Sequence, residues 1–228
     1  MNAKLDKWLP ALLAVFKAPQ LKQPVLKYDH LVFRAKLPDI NEGPLKATYM
    51  DGVRRILEHA TKYSLTKYQV AYVLATAYHE TAYWMCPIRE GAWRYGPNYS
   101  DASAVSAVTN AVAKGLIRKN YALRDPRTGK SYYGRGLVQI TWYDEYLQMG
   151  QLLGIDLVKD PDKALEWPTA LDILFTGMIK GTFRDGHKLA DIVTDADWYA
   201  ARGIINGDTK KNGKKIASIA AAYYAALT

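Results

Sequence analysis

The chain has 228 residues, 49% of them hydrophobic and 23% charged, and a formal net charge of +9. That length buries a full core in one domain without disulfides, and that composition excludes a disordered or fibrous chain. A single cysteine, Cys86, excludes an internal bridge, four histidines argue against a Cys/His metal cage, and the positive charge favours an anionic partner without naming one.

Residues 1–18 are predicted to form a helix. Their apolar stretch "WLPALLAVF" is short, follows Asp6 and lacks a small-x-small cleavage site, so it reads as an amphipathic helix rather than an export signal. No run approaches the roughly 20 apolar residues that span a bilayer, and no stable membrane insertion is expected. Pro19, Pro24, Pro38 and Pro44 then break regular structure, and an extended arm lying on the core is predicted up to residue 48. The core of the single domain is expected from residue 49 to residue 228. It opens with a helical period in "YMDGVRRILEHATKY"; Ser64 or Thr66 is placed to cap the next helix, "KYQVAYVLATAYHETA". Further helices are predicted in "DASAVSAVTNAVAKGL", "YDEYLQMGQLLG", "PDKALEWPTALDILFTGMIKGTF", "DADWYAARGIIN" and "GKKIASIAAAYYAALT". The clearest strand signal is "KSYYGRGLVQITW", where Gly134 and Gly136 imply close backbone approach. The fold class is therefore mainly α, with a small β element.

Two carboxyls carry the chemical interest. Val70, Val73 and Ala77 form a stripe at helical spacing and Glu80 continues it, which points its carboxylate towards the core side. Partial burial there raises a carboxyl pKa and favours the protonated form that a general acid needs, while pairing with an arginine is the alternative. Glu90 follows Pro87 and Arg89 and precedes Gly91, which places it in a loop free to face Glu80 across a cleft. Two carboxyls about 6.5 to 9.5 Å apart leave space for a water beside a sugar ring, the arrangement of glycoside hydrolysis with inversion. Tyr83, Trp84, Trp93 and Tyr95 flank the pair, and Tyr132, Tyr133, Trp142 and Tyr143 flank the glycine-rich strand; such rings stack on sugars or fill a core.

Taken together, "AYHETAYWMCPIREG", "YYGRGLVQITW", "PDKALEWPTA", "GTFRDGHKLADIV" and "ARGIINGD" resemble the glycoside hydrolase family 19 chitinases, most closely their phage and bacterial relatives that act as endolysins. The resemblance implies a lysozyme-like, two-lobed helical fold with a central cleft. It makes Glu80 the general acid and Glu90 the general base, with Gln139 and Thr141, alternating on one strand face, binding substrate and holding the attacking water. Asn206 resembles the asparagine that contacts the sugar N-acetyl group, and Tyr132, Arg135 and Trp142 match positions that shape the cleft and bind substrate. Plant members carry a glutamate shortly after the "NG" and an arginine near the C-terminus that support the acid; here Asp208 and Lys210 follow, and no arginine follows Arg202. No metal or cofactor is implied. The expected substrate is bacterial peptidoglycan, with chitin as the alternative, and the expected setting is a monomeric endolysin made in the host bacterial cytoplasm and reaching the wall after holin-type release.

Three rival readings have less support. "HETAY" differs from the zinc-protease motif His-Glu-x-x-His, because Tyr83 stands where the second ligand is needed. A binding protein without activity would have lost a carboxylate, and both are present. Nucleic-acid binding rests on charge alone, with no basic helix or known module.

Overall fold

A computed structural model describes residues 25–37, 46–91, 100–184 and 186–228. Among these residues seven α-helices follow in order: α1 (His30–Lys36), α2 (Lys46–Ala60), α3 (Lys67–Glu80), α4 (Asp101–Ala113), α5 (Trp142–Leu153), α6 (Trp167–Lys180) and α7 (Thr209–Ala226). Two short strands, β1 (Ile88–Arg89) and β2 (Arg135–Gly136), pair antiparallel, Ile88 opposite Gly136 and Arg89 opposite Arg135.

Helix α3 begins at Thr66, the second of the two predicted caps. Its hydroxyl accepts the N–H of Gln69 at 3.3 Å, and the Gln69 side chain accepts the N–H of Thr66 at 3.0 Å, a reciprocal pair that satisfies two otherwise orphaned donors. Every residue from Val70 to Tyr78 is buried, so the helix is sheathed all round rather than along the single stripe that the spacing suggested. Helix α7 lies along α3, and α2 and α6 also pack on it. Alanines 71 and 75 on α3 and 220 and 222 on α7 are all buried.

The expected extended arm is corrected in part. Pro24 and Pro38 bracket a proline-free stretch long enough for the two-turn helix α1, which Asp29 caps by accepting from the N–H groups of Leu31 and Val32 at 2.9 and 3.2 Å. Residues 27 and 29 pair with the C-terminus, through Lys27 and Thr228 and through Asp29 and Ala226. Phe33 is fully buried, with its ring 4.3 Å from that of Tyr223 and 5.8 Å from that of Tyr78. This part of the arm belongs to the core. The predicted helix at 1–18 lies outside the described residues.

Two other predicted helices are shorter than expected. The stretch from Pro161 splits into a 3-10 turn (Pro161–Leu165) and α6, because Pro168 has no N–H and its ring would meet the carbonyl of residue 164 in a continuous helix. The stretch from Asp195 becomes two 3-10 turns, Asp195–Trp198 and Ala200–Ile204.

A smaller cluster (Ala104, Val108, Ala122 and Tyr133) stands apart from the main helical core. The β pair joins the two. Arg89 and Arg135 both bind Asp162, each at 2.7 Å, which fastens the strands to the 3-10 turn at 161–165. Gly136 has φ +87, and a Cβ there would lie 2.8 Å from the Ala164 carbonyl oxygen, so only glycine fits.

Truncating the ring that anchors α1 tests the revised boundary. Phe33→Ala is expected to lower unfolding free energy by about 3–5 kcal/mol in urea denaturation, the range for removing a fully buried phenylalanine side chain. A loss under 1 kcal/mol would mean that α1 is peripheral.

Candidate active site

Glu80 is the last residue of α3, the end of a helix least favourable to an anion. Its carboxylate accepts a bond from Arg202 Nη1. The same guanidinium holds Asp208, through Nε to Oδ1 at 2.5 Å and Nη2 to Oδ2 at 3.2 Å, and Asn212 Nδ2 reaches Asp208 Oδ2 at 2.5 Å. Arg202 is 3% exposed and Glu80 15%. Burial pushes the Glu80 carboxyl up, the Arg202 charge and hydrogen bond pull it back, and the net direction is upward. Burial also works against the charge on Asp208, but the bonds from Arg202 and Asn212 hold it below the ordinary carboxylate range. Next to Glu80 in sequence, burial together with Arg202 and Lys215 pushes His79 down to about 4, so its ring is neutral near pH 7.

Glu90 has a different environment. Tyr121 donates its phenol to Oε1, and the backbone N–H of Gly134 donates to Oε2 at 2.9 Å. The Glu90 N–H returns a bond to the Gly134 carbonyl at 2.8 Å. Burial raises this carboxyl too, with Tyr121 and Gly134 opposing it. Gly134 has no room for a side chain: a Cβ would lie 2.9 Å from Gln139 Oε1 and 3.2 Å from Glu90 Oε2. The close approach expected at this glycine is therefore that of the Gln139 and Glu90 side chains.

Both carboxyls line one cleft of 540 Å³, and Gln139, Thr141, Trp142 and Asn206 share its lining. Trp142 is 38% exposed, packs edge-on against Tyr121 with centroids 5.0 Å apart, and carries Lys119 Nζ at 5.1 Å from its ring centroid. Three expectations need correction. Tyr132 is 3% exposed, and its hydroxyl bonds Thr128 and the Val158 carbonyl, each at 2.8 Å, behind the wall. Arg135 is 2% exposed and is spent on Asp162, Tyr146 and the Ser131 carbonyl. Gln139 and Thr141 do not alternate along a strand, because Gln139 adopts φ +56 in a tight turn that bridges Arg135 and Ile140. The Gln139 amide donates to the carbonyls of Ile88 and Gly136 at 3.0 and 3.1 Å, so it ties the turn to β1.

The arginine that pairs with Glu80 is Arg202, which no motif singles out. The resemblance directs attention to an arginine near the C-terminus, whereas Arg202, just upstream of the "NG", does the work together with Asp208. Tyr121 carried no sequence signal, since "RKNYALRD" has neither periodicity nor a motif. Glu145, also on the cleft lining, is not among the residues that the motifs single out. Trp93 and Tyr95 lie outside the described residues. Among those described, no three His, Cys, Asp or Glu side chains are grouped to hold a metal ion.

Residues 57–175, just over half of the chain, match the family profile of glycoside hydrolase family 19, chitinase class I. The chain belongs to glycoside hydrolase family 19. An endochitinase of Arabidopsis thaliana is 54% identical over 71 residues, 31% of this chain and 25% of that protein. Endochitinase 1 of Theobroma cacao is 34% identical over 110 residues, 45% of this chain and 30% of that protein. The matched stretches thus span less than a third of these relatives' length. Among solved structures, chitinase C from Streptomyces griseus HUT6037 superposes with a TM-score of 0.51 over 86% of this chain and 73% of that one, at 22% identity, a likeness of fold. The family 19 chain has the mainly α, lysozyme-like fold expected from its motifs.

Two substitutions test the electrostatics. Tyr121→Phe removes a donor that lowers the Glu90 pKa, so that pKa rises further; if Glu90 works ionised, the acidic limb of the pH–rate profile moves to higher pH and the alkaline limb stays in place. Arg202→Ala leaves two carboxylates without their buried cation and is expected to cost about 3–5 kcal/mol in urea denaturation.

Proposed function

We propose that this family 19 chain cleaves β-1,4 glycosidic bonds of bacterial peptidoglycan with inversion, as an endolysin. The observation that carries this reading is one cleft holding two half-buried carboxyls in unlike surroundings, Glu80 against Arg202 and Glu90 under Tyr121 and the Gly134 N–H. Unlike surroundings are how two carboxyls come to take the acid and base roles.

Glu80, with its raised pKa, gives a proton to the glycosidic oxygen as the bond to C1 breaks. Glu90, ionised, takes a proton from a water as the water oxygen bonds to C1 from the opposite face, and the new reducing end has inverted configuration. The Thr141 hydroxyl donates to the Gln139 carbonyl at 2.8 Å, which leaves its lone pairs to accept a hydrogen from that water. Trp142 offers an exposed face on which a sugar can stack, and Asn206 on the lining offers an amide to an N-acetyl group.

Charge favours peptidoglycan over chitin. Peptide stems on muramyl residues carry carboxylates, whereas chitin is neutral. The chain has net charge +9, Lys119 stands over Trp142, and Arg184 shares the cleft lining with Asn206. Cys86, buried and without a disulfide, fits synthesis in a reducing compartment such as the host bacterial cytoplasm, with access to the wall once the membrane is breached. Hydrolysis of chitin is the second reading, supported by the endochitinase names of the relatives.

One experiment separates the two. Purified protein is incubated with isolated Gram-negative peptidoglycan and with chitin oligomers, and the products are analysed by mass and by the identity of the new reducing end. Cleaved glycan strands with hydrated, not anhydro, muramyl ends are expected. Anhydro ends would replace hydrolysis with transglycosylation, and cleavage of chitin alone would make the protein a chitinase. Glu80→Gln is expected to lower activity by about 10²–10⁴-fold, since an amide cannot donate the proton, with the melting temperature nearly unchanged; full activity would remove Glu80 from the mechanism.

A further inference from the structure

A third carboxyl lines the cleft, and neither half of the mechanism uses it. Glu145 sits in the first turn of α5, and its Oε2 accepts the backbone N–H of Thr141 at 2.7 Å. Burial pushes this carboxyl up, and the Thr141 N–H opposes the shift. Holding a carboxyl in such a place costs more than a surface helix cap would, which directs attention to what the bond achieves.

Thr141 precedes α5 in an extended conformation, φ −138 and ψ 158, where a threonine hydroxyl ordinarily accepts an N–H from the first turn. This hydroxyl makes no such cap bond and donates to the Gln139 carbonyl instead. A hydroxyl has one hydrogen, so only acceptor capacity is left for the cleft. On either side the chain is strained: Gln139 has φ +56 and Trp142 has φ +69, neither being glycine. Such conformations are unfavourable for residues with a side chain and persist only where the surroundings hold them. On one side the turn is held by the Gln139 amide on Ile88 and Gly136, and on the other by Glu145.

We propose that Glu145 is a positioning residue for the hydrolytic water, acting through Thr141. The proposal rests on reading the cleft as an inverting hydrolase site. Glu145 locks the Thr141 backbone, the Gln139 carbonyl fixes the hydroxyl rotor, and together they aim the Thr141 lone pairs at one point in the cleft.

The test is a double-mutant cycle on the full chain. kcat and KM are measured on isolated peptidoglycan and on N-acetylglucosamine oligomers for Glu145→Ala, Glu145→Gln, Thr141→Ala and the double variant of Glu145→Ala with Thr141→Ala. Misplacing a reacting group by about 1 Å costs on the order of 10²-fold, so Glu145→Ala is expected to lower kcat by about 10- to 100-fold with KM nearly unchanged. Glu145→Gln is expected to restore kcat to within about threefold of wild type, because its amide oxygen can accept the same N–H. The double variant should be no slower than Thr141→Ala alone. Additive losses, a rise in KM with kcat unchanged, or a Glu145→Gln variant as slow as Glu145→Ala would each overturn the proposal. If Glu145→Ala fails to fold, Glu145→Asp, one methylene too short to reach the N–H, takes its place and is expected to lose kcat in the same way; wild-type kcat in a folded Glu145→Asp overturns the proposal. Thr141→Ala with normal kcat overturns it while leaving the acid and base assigned. Full activity in Glu80→Gln overturns the inverting reading itself, and this proposal with it.

Discussion

The site depends on one buried arrangement of charge: two carboxylates, Glu80 and Asp208, on a single guanidinium. Helix α3 is buried from Val70 to Tyr78 and delivers Glu80, half-buried, at its C-terminal end. A carboxylate there without a cation would be strongly penalised, and a cation with only one carboxylate would bind it too tightly to let it accept a proton. Sharing Arg202 resolves the conflict. Asp208 holds Arg202 through two nitrogens and takes the depressed pKa, while Glu80 receives the remaining nitrogen and keeps a raised one. The 3-10 turn at 200–204 and the start of α7 are needed to present these partners together.

The cleft weakens the fold that contains it. Glu80, Glu90 and Glu145 all have folded-state pKa values pushed upward. For each, the folded state binds its proton more tightly than the unfolded chain does, where the value is about 4.3. Stability contributed by these groups is therefore present below that pH and is lost as pH rises through their folded-state values. Asp208 and Asp162, both depressed, act in the opposite direction and lose their contribution as pH falls. The arginines that bind these aspartates offset part of what the cleft removes.

Much of this was legible in the sequence, for reasons that differ by residue. Helix α3 was readable because period and cap agree, and Glu80, Glu90, Gln139, Thr141, Trp142 and Asn206 share the cleft because their motifs are specific. Tyr132 and Arg135 lie in an equally specific motif but face the wall, and a motif does not record which neighbours point inward. Arg202 is 122 positions from Glu80, a separation over which no local pattern can pair two residues. Glu145 is an acid in the first turn of a helix, a common placement, and only the diverted hydroxyl of Thr141 sets it apart. Helix α1 is hard to see in the sequence because prolines flank it on both sides, yet Pro24 and Pro38 leave room between them for its two turns.

Tyr121, one of the two donors to Glu90, follows a loop that packs on the small cluster of Ala104, Val108, Ala122 and Tyr133 and not on the main helical core. A cluster of that size opens at lower free energy than the body around α3. On warming, the hydrogen bond to Glu90 is therefore expected to be lost in a local opening that leaves the helices of the main core folded. That opening would then come before global melting, and far-ultraviolet circular dichroism, dominated by the helices of the main core, would register only the part that α4 contributes.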